Sequence, residues 1–355
     1  MASIRPVADG RARKDADGRA REEMQTAMTA LAPSRRSLLL GVAATLAFPA
    51  TLRAASFATR PIRLVVGTAA SGTNDLAARL IAPTLREELG QPVVVDNRPG
   101  AATTYAVGLV AAAPPDGHVL LVSSAAALAV HATSVNAPPD LARDLSAVGM
   151  VCDGAFTYAI NSRVEARDTA SFIALLREAP GRLNYGTSGA GSAIHLSGEL
   201  FQQRTGTLML AVHYTNAGMR ANDLVSNTVQ LGIGGIGVLG PFIGSGALRA
   251  LFVAGREREK LLPEMPTSVE LGLPELDNIT NWFGLHGPKG MPAEIVAQVN
   301  AALNKALRKP DVAEAFGKAG MTNPLHTPEQ FLARMTADYQ VMADVAKARN
   351  IRADF

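Results

Sequence analysis

Four times along this chain a short apolar run ends in small polar residues and passes toward a helix. Ile62–Val66 leads through GTAASGTN (67–74), and HVLLVSS stops at Ser123 and Ser124. NYGTSGAGSAIHL (184–196) carries Gly186, Gly189 and Gly191 into a helix, and VHYTNAGMRANDL (212–224) turns near Asn216 into another. Strand–helix–strand order builds a parallel sheet. Open sheets of this kind take ligands at the carboxyl ends of their strands, where helix N-termini present N–H groups. The recurrence predicts an α/β fold whose binding groups sit on several separate loops.

Periodicity fills in the rest. A strand is expected at 62–66 and a helix at 74–89, with Leu76, Leu80, Ile81 and Leu85 on one face and Gly90 as its stop. Strands follow at 93–95 and, after the turn at 115–117, at 118–122. A second set comprises strands at 157–161, 183–185, 208–213, 229–233 and 248–254, with helices at 169–178 and 193–203. The C-terminus reads as helical. Met291-Pro292 opens one helix with proline in its first turn, and Thr327 to Gln330 has capping-box spacing for another. Two α/β lobes are expected, the first completed by the C-terminal helices.

At 355 residues the chain is long enough for both. Its single cysteine, Cys152, excludes an internal disulfide. The sequence pI near 9.1 suggests nucleic acid only until the charge is located. Residues 1–56 hold nine Lys/Arg and five Asp/Glu, which leaves 25 against 26 for the rest. The body lacks the basic footprint of a nucleic-acid binder. The basic segment reads as a disordered leader carrying a twin-arginine signal peptide: Arg35-Arg36 precede a short apolar run, with cleavage expected after Ala54, Ser56 or Ala58.

The loops resist enzymatic readings. GTAASGTN has Thr73 where a phosphate-binding loop needs lysine, and it lacks the glycine spacing of a dinucleotide loop. Backbone N–H groups with Ser71, Thr73 and Asn74 beside them suit a single carboxylate. The second loop would be a nucleophile elbow if glycine stood at 190, but Ala190 does. A hydrolase using Ser188 and His195 is the alternative from another class, and it lacks an acid to orient the histidine. His195 and Glu199 have the spacing of a metal pair without a third ligand. Tyr214 offers a hydroxyl and an aromatic wall. Polar strand ends without an acid–base pair point to recognition rather than chemistry.

Ordered blocks from Pro61 onward carry a resemblance: PIRLVV with its Gly/Ser loop, LGQPVVVDNRPGA (89–101), PDGHVLL (115–121), PGRLNYGTSGAGSAIHLSGEL (180–200), GALRALFV (246–253), LPEMPTSVELGLPEL (262–276) and NWFGLHGPKGMP (281–292). The chain resembles the substrate-binding proteins of tripartite tricarboxylate transporters, the Bug family. The resemblance implies a two-lobed, type II periplasmic-binding-protein-like fold with the ligand cleft between lobes. Lobe 1 would comprise 57–157 and 281–355, and lobe 2 158–280. It implies an exported, monomeric, periplasmic receptor for a small organic carboxylate, without metal or cofactor, serving the membrane subunits of such a transporter or a sensory system. By position, the ligand would meet Thr68, Ala70, Ser71, Gly72, Thr73, Asn74 and Asp75 in the first loop and Ser124 at the next strand end. Thr187, Ser188, Gly189, Gly191 and Ser192 would reach it from the other lobe, with Tyr214 and Asn216 beside them. Hinges are expected near 156–161 and 278–283. The family's proline-rich first loop is here Gly67-Thr68-Ala69-Ala70, and its proline-tyrosine pair is His213-Tyr214. Gly234 stands where an acid often does, which favours a dicarboxylate or aromatic carboxylate over an amino acid.

Overall fold

A computed structural model describes residues 57–70, 72–100 and 103–353. The expected leader, and Ser71 in the first loop, lie outside the described residues. No helix among the described residues is long and apolar enough to cross a membrane.

The strands are β1 (Ile62–Val66), β2 (Val93–Asn97), β3 (Val119–Ser124), β4 (Leu145–Cys152), β5 (Phe156–Asn161), β6 (Asn184–Thr187), β7 (Leu210–His213), β8 (Leu231–Gly235), β9 (Leu248–Ala254) and β10 (Phe283–Pro288). They form two five-stranded sheets, ordered β2-β1-β3-β10-β4 and β7-β6-β8-β5-β9. In the first, β1 pairs in parallel with β2 and β3, as the βαβ order predicts. β6 pairs in parallel with β7 and β8 in the second.

Each sheet also holds one strand that runs the other way. β10 lies antiparallel between β3 and β4, and β5 lies antiparallel between β8 and β9. β5 follows the chain's passage out of the first sheet, and β10 follows its return. Both crossing strands are buried along their whole length. The expected hinge at 156–161 is therefore a central strand, locked on both edges; Asp153–Ala155 is the connection that precedes it.

Helices α1 (Thr73–Leu89), α2 (Thr104–Ala111) and α3 (Ala125–Thr133) follow β1, β2 and β3. α4 (Thr169–Glu178), α5 (Ala193–Thr205), α6 (Ala217–Ser226) and α7 (Ile236–Gly244) accompany the second sheet. α8 (Ala293–Leu307), α9 (Pro310–Lys318) and α10 (Pro328–Ala348) close the chain. Gly90 stops α1 in the left-handed conformation, φ 71°, its N–H returned to the Arg86 carbonyl. The buried face of α1 differs from the one expected. Ala77, Ala78, Ile81 and Leu85 are fully buried, while Leu76 is 40% exposed. Small residues there let the helix lie close to the sheet and to α8, and Leu76 turns outward. Pro292 is the N-cap residue of α8 rather than part of its first turn. The Thr327–Gln330 capping box forms as expected, with both reciprocal bonds present.

Candidate functional site

β1 and β3 are neighbours, with Val66 opposite Val122, so the loops that leave them lie side by side. Gly67 makes the first exit possible. A Cβ there would stand 2.9 Å from Thr103 Cβ and 3.2 Å from its Cα, at the start of α2. Asn97 at the end of β2 then fixes the loop, donating from Nδ2 to the Thr68 carbonyl at 3.1 Å and to Asp75 Oδ1 at 3.0 Å. Arg79 Nε donates to the other oxygen of Asp75 at 2.9 Å. The Asp75 side chain, only 5% exposed, is thus a strut inside the loop.

The remaining groups of this half face differently. Thr68 Oγ1 is buried and has no hydrogen-bond partner. The Asn74 side chain is buried, its amide 3.5 Å from the Val122 carbonyl, at the limit of a hydrogen bond. Ser124, at the N-cap position of α3, makes no capping bond and is buried. Ser123, one residue earlier, points the other way and meets His286 Nε2 at 3.0 Å. Ala70 and Thr73 are exposed at the loop surface, and Gly72 is the N-cap residue of α1 without a side-chain cap. Two hydroxyls and a helix N-terminus thus converge at adjacent strand ends.

In the second sheet, Thr187 is the hub. Its Oγ1 lies 2.7 Å from His213 Nδ1 and accepts the Gly189 N–H at 3.2 Å, and its carbonyl accepts the Tyr214 N–H at 3.2 Å. These bonds tie the two expected loops together and leave Ser188 exposed at the tip. Gly189, at φ 119°, makes the turn. Three other expected residues serve the scaffold. The Ser192 hydroxyl accepts the His195 N–H as the cap of α5, and Asn216 Oδ1 accepts from Gly218 and Met219 as the cap of α6. Gly191 lies against Thr133 of α3, whose hydroxyl donates to its carbonyl at 3.3 Å. The Tyr214 hydroxyl donates to Asp223 Oδ2 at 2.6 Å, and burial and that carboxylate push its pKa up to about 12. What Tyr214 presents is its ring.

Ser188 and His195 do not come together. The Gly191 N–H donates to His195 Nδ1 at 3.0 Å, so the neutral ring carries its proton on Nε2. That Nε2 stands 3.9 Å from Glu199 Oε1, and burial lowers the histidine's pKa. Glu199 is itself engaged by Tyr185, Gln202 and Arg349. A serine nucleophile needs its base within hydrogen-bond reach; this pair is not arranged that way.

Two groups escaped the reading of the sequence. Thr157 on β5 is fully buried, pairs across the ladder with Gly234, and has no partner for its hydroxyl. Arg220 lies on α6 against Gly186. Arg220 lies within the VHYTNAGMRANDL segment without standing out there, and only the antiparallel insertion of β5 brings Thr157 beside Gly234.

The sequence model of the tripartite tricarboxylate transporter family receptor, TctC, matches residues 77–350. The chain belongs to that family. It is 34% identical to protein BugT of Bordetella pertussis over 306 residues, 86% of this chain and 94% of BugT. Among solved structures, Rpa4515 of R. palustris with adipate is 30% identical, with TM-score 0.70 over 83% of this chain and 98% of its own. MatC (Rpa3494) from Rhodopseudomonas palustris with bound malate is 28% identical, with TM-score 0.67 over 81% and 99%. This TctC-family receptor accordingly has the two-lobed periplasmic-binding-protein fold, one lobe on each sheet.

Proposed function

We propose that this TctC-family receptor is exported to the periplasm, closes its lobes over a small organic carboxylate, and presents it to the membrane subunits of a tripartite tricarboxylate-type transporter. The observation that carries the reading is the buried, unpartnered Thr68 hydroxyl beside the N-terminus of α1 and the uncapped Ser124. A buried donor without an acceptor costs about 1–3 kcal/mol, and a bound carboxylate oxygen would supply the acceptor. The relatives solved with adipate and malate support the same class. Within this reading the first lobe grips through the backbone N–H groups at the start of α1, Thr73 and Asn74, and the hydroxyls of Thr68 and Ser124. The second lobe covers the ligand with Ser188, Gly189 and the Tyr214 ring. Residues 57–152 with 283–355, and 156–277, are the two lobes, since β5 belongs whole to the second sheet, and motion is taken up at the connections 153–155 and 278–282.

Thermal denaturation of protein emptied by unfolding and refolding tests this. At a hundredfold excess over Kd, a bound carboxylate stabilises the native state by about 2.7 kcal/mol, which raises Tm by roughly 5–10 °C at the usual 2–4 °C per kcal/mol. Di- and tricarboxylates and aromatic carboxylates are expected to act, and amino acids and sugars are not. No shift with any carboxylate from folded, emptied protein would overturn the reading. A companion variant separates ligand contact from fold. Thr68→Val removes the unpartnered hydroxyl, so it leaves Tm of the empty protein unchanged or higher while reducing the ligand-induced shift. A lower empty-state Tm with an unchanged shift would show that Thr68 serves the fold.

A further inference from the structure

Both ends of the second-lobe loop are pinned, and one pin depends on a proton. At its start Thr187 Oγ1 accepts the Gly189 N–H at 3.2 Å. At its end the Gly191 carbonyl accepts from Thr133 Oγ1 of α3 at 3.3 Å, a contact from the first lobe. The Gly191 N–H donates in turn to His195 Nδ1 at 3.0 Å, and this bond is buried. Gly191 stands in the left-handed region, φ 71°, and a Cβ there would lie 2.5 Å from Thr133 Oγ1. Glycine is free to leave that conformation, so the bonds are what keep it there. Ser188 and Gly189 lie between the two pins.

An imidazole nitrogen accepts only while it is unprotonated; a charged ring donates from both. A proton on His195 therefore sets one N–H against another and breaks the pin. The surroundings also work against that proton. His195 is buried, and the ring of His213, at the end of β7, stands edge-on to it at 4.9 Å. His213 holds the loop too, its Nδ1 2.7 Å from Thr187 Oγ1. Tyr185 of β6 lies 6.4 Å away, ring to ring, and gives its hydroxyl to Glu199. Glu199 Oε1 is 3.9 Å from His195 Nε2, but that carboxylate is shared with Gln202 and with Arg349 at the end of α10. Burial first, with His213 and Arg349, pushes the pKa of His195 down, and Glu199 opposes them only in part. The pin is thus complete at neutral pH and is lost as pH falls from about 6.5.

We propose that His195 is a positioning residue that makes the second-lobe loop proton-sensitive: neutral, it holds Ser188 and Gly189 over the ligand, and protonated, it releases them. The inference rests on the carboxylate-receptor reading and adds regulation to it. The receptor holds its carboxylate in a neutral medium and gives it up more readily in an acidic one.

Two measurements between about pH 8 and 5 test it. Nuclear magnetic resonance of emptied protein carrying isotope-labelled glycine follows the Gly191 amide, and isothermal titration with succinate, glutarate and benzoate follows affinity. In the wild type the Gly191 resonance should move with the same midpoint as the His195 ring. Affinity for the acids that bind should fall roughly threefold to tenfold along the same curve, the usual weight of one hydrogen bond. His195→Asn offers a carbonyl that accepts the Gly191 N–H and does not titrate, so its Gly191 resonance should be flat. The acids' own titration is common to both proteins and cancels in the ratio of their affinities, which isolates the histidine. A wild-type Gly191 resonance indifferent to pH overturns the assignment without recourse to any variant, and so does an equal response in His195→Asn; the receptor reading then stands. A responsive loop with a constant affinity ratio overturns the coupling of loop to ligand. If the wild type binds none of the acids at neutral pH, the receptor reading is overturned as well.

Discussion

Replacing Arg334 with methionine is expected to lower the free energy of unfolding by about 3–5 kcal/mol, the usual consequence of removing one partner from a buried charge network. Arg334 lies on α10 and reaches both crossing segments. Its Nε donates to both oxygens of Asp338 at 2.9 Å, and one terminal nitrogen donates to the Asp277 carbonyl at 2.7 Å and to Thr280 Oγ1 at 3.1 Å. The other terminal nitrogen lies 3.6 Å from Asp153, which follows β4. Asp338 also accepts from Asn278 and from the indole N–H of Trp282, the latter at 2.8 Å. Asp338 and Trp282 are both fully buried. Methionine keeps the length of the side chain and removes the charge, leaving two carboxylates in a low-dielectric pocket. Urea melts followed by far-ultraviolet circular dichroism measure the loss. The double variant Arg334→Met with Asp338→Leu should recover a large part of it. A single-variant effect below about 1 kcal/mol would mean that water, rather than Arg334, solvates this junction.

The second large effect is a pair of opposed pH dependences. Burial holds the pKa of His286 down at about 3, and the ring meets Ser123 through one nitrogen while the other has no partner. Because its folded pKa lies below the unfolded value near 6.5, stability is lost as pH falls from there toward 3, by roughly 1.4 kcal/mol per pH unit. Asp338 acts in the opposite direction. Burial raises its pKa to about 6 against the pull of Arg334. A carboxyl whose folded pKa is raised contributes stability that is present below about pH 4 and lost as pH rises through about 6. Between pH 4 and 6 the two slopes cancel, and the wild type should be nearly flat with respect to these groups. His286→Asn should expose the carboxyl, so that stability increases by about 2–3 kcal/mol on acidification from pH 6 to 4. Asp338→Asn should expose the histidine, and stability should fall by a similar amount. Whatever offset each substitution brings, the sign of the slope is the readout. Parallel profiles in both variants would refute the assignment.

The sequence was most legible where one segment decides its own structure. The strand at 62–66, the helix at 169–178 and the strand at 248–254 lie where periodicity placed them, and the Thr327 capping box formed as written. β4, by contrast, was missed. LSAVGMVC has no alternation, because its last five residues are all buried. At the site, strand ends and glycines were visible as motifs, but the partners of each polar atom were not. Asp75, Ser192 and Asn216 look like ligand groups in sequence and are struts and caps in the fold, because each finds an N–H donor within a few residues or on the neighbouring strand. Arg220 lay inside the 212–224 segment without standing out from it. An arginine on an amphipathic helix reads as solvated, and only the glycine opposite it reveals that it lies over the sheet.

The exchange of strands sets an order on biosynthesis. As the chain leaves the ribosome, the second sheet can complete its pairing within residues 156–254. The first cannot. One edge of β3 stays open from Ser124 until Phe283 emerges to pair with it, and β4 has no neighbour in the sheet other than β10. For the whole interval the nascent first lobe displays an unpaired apolar strand edge, the feature by which polypeptides associate wrongly. A chain arrested before Phe283 should therefore be recovered as aggregate, and the lobe made first is the one finished last.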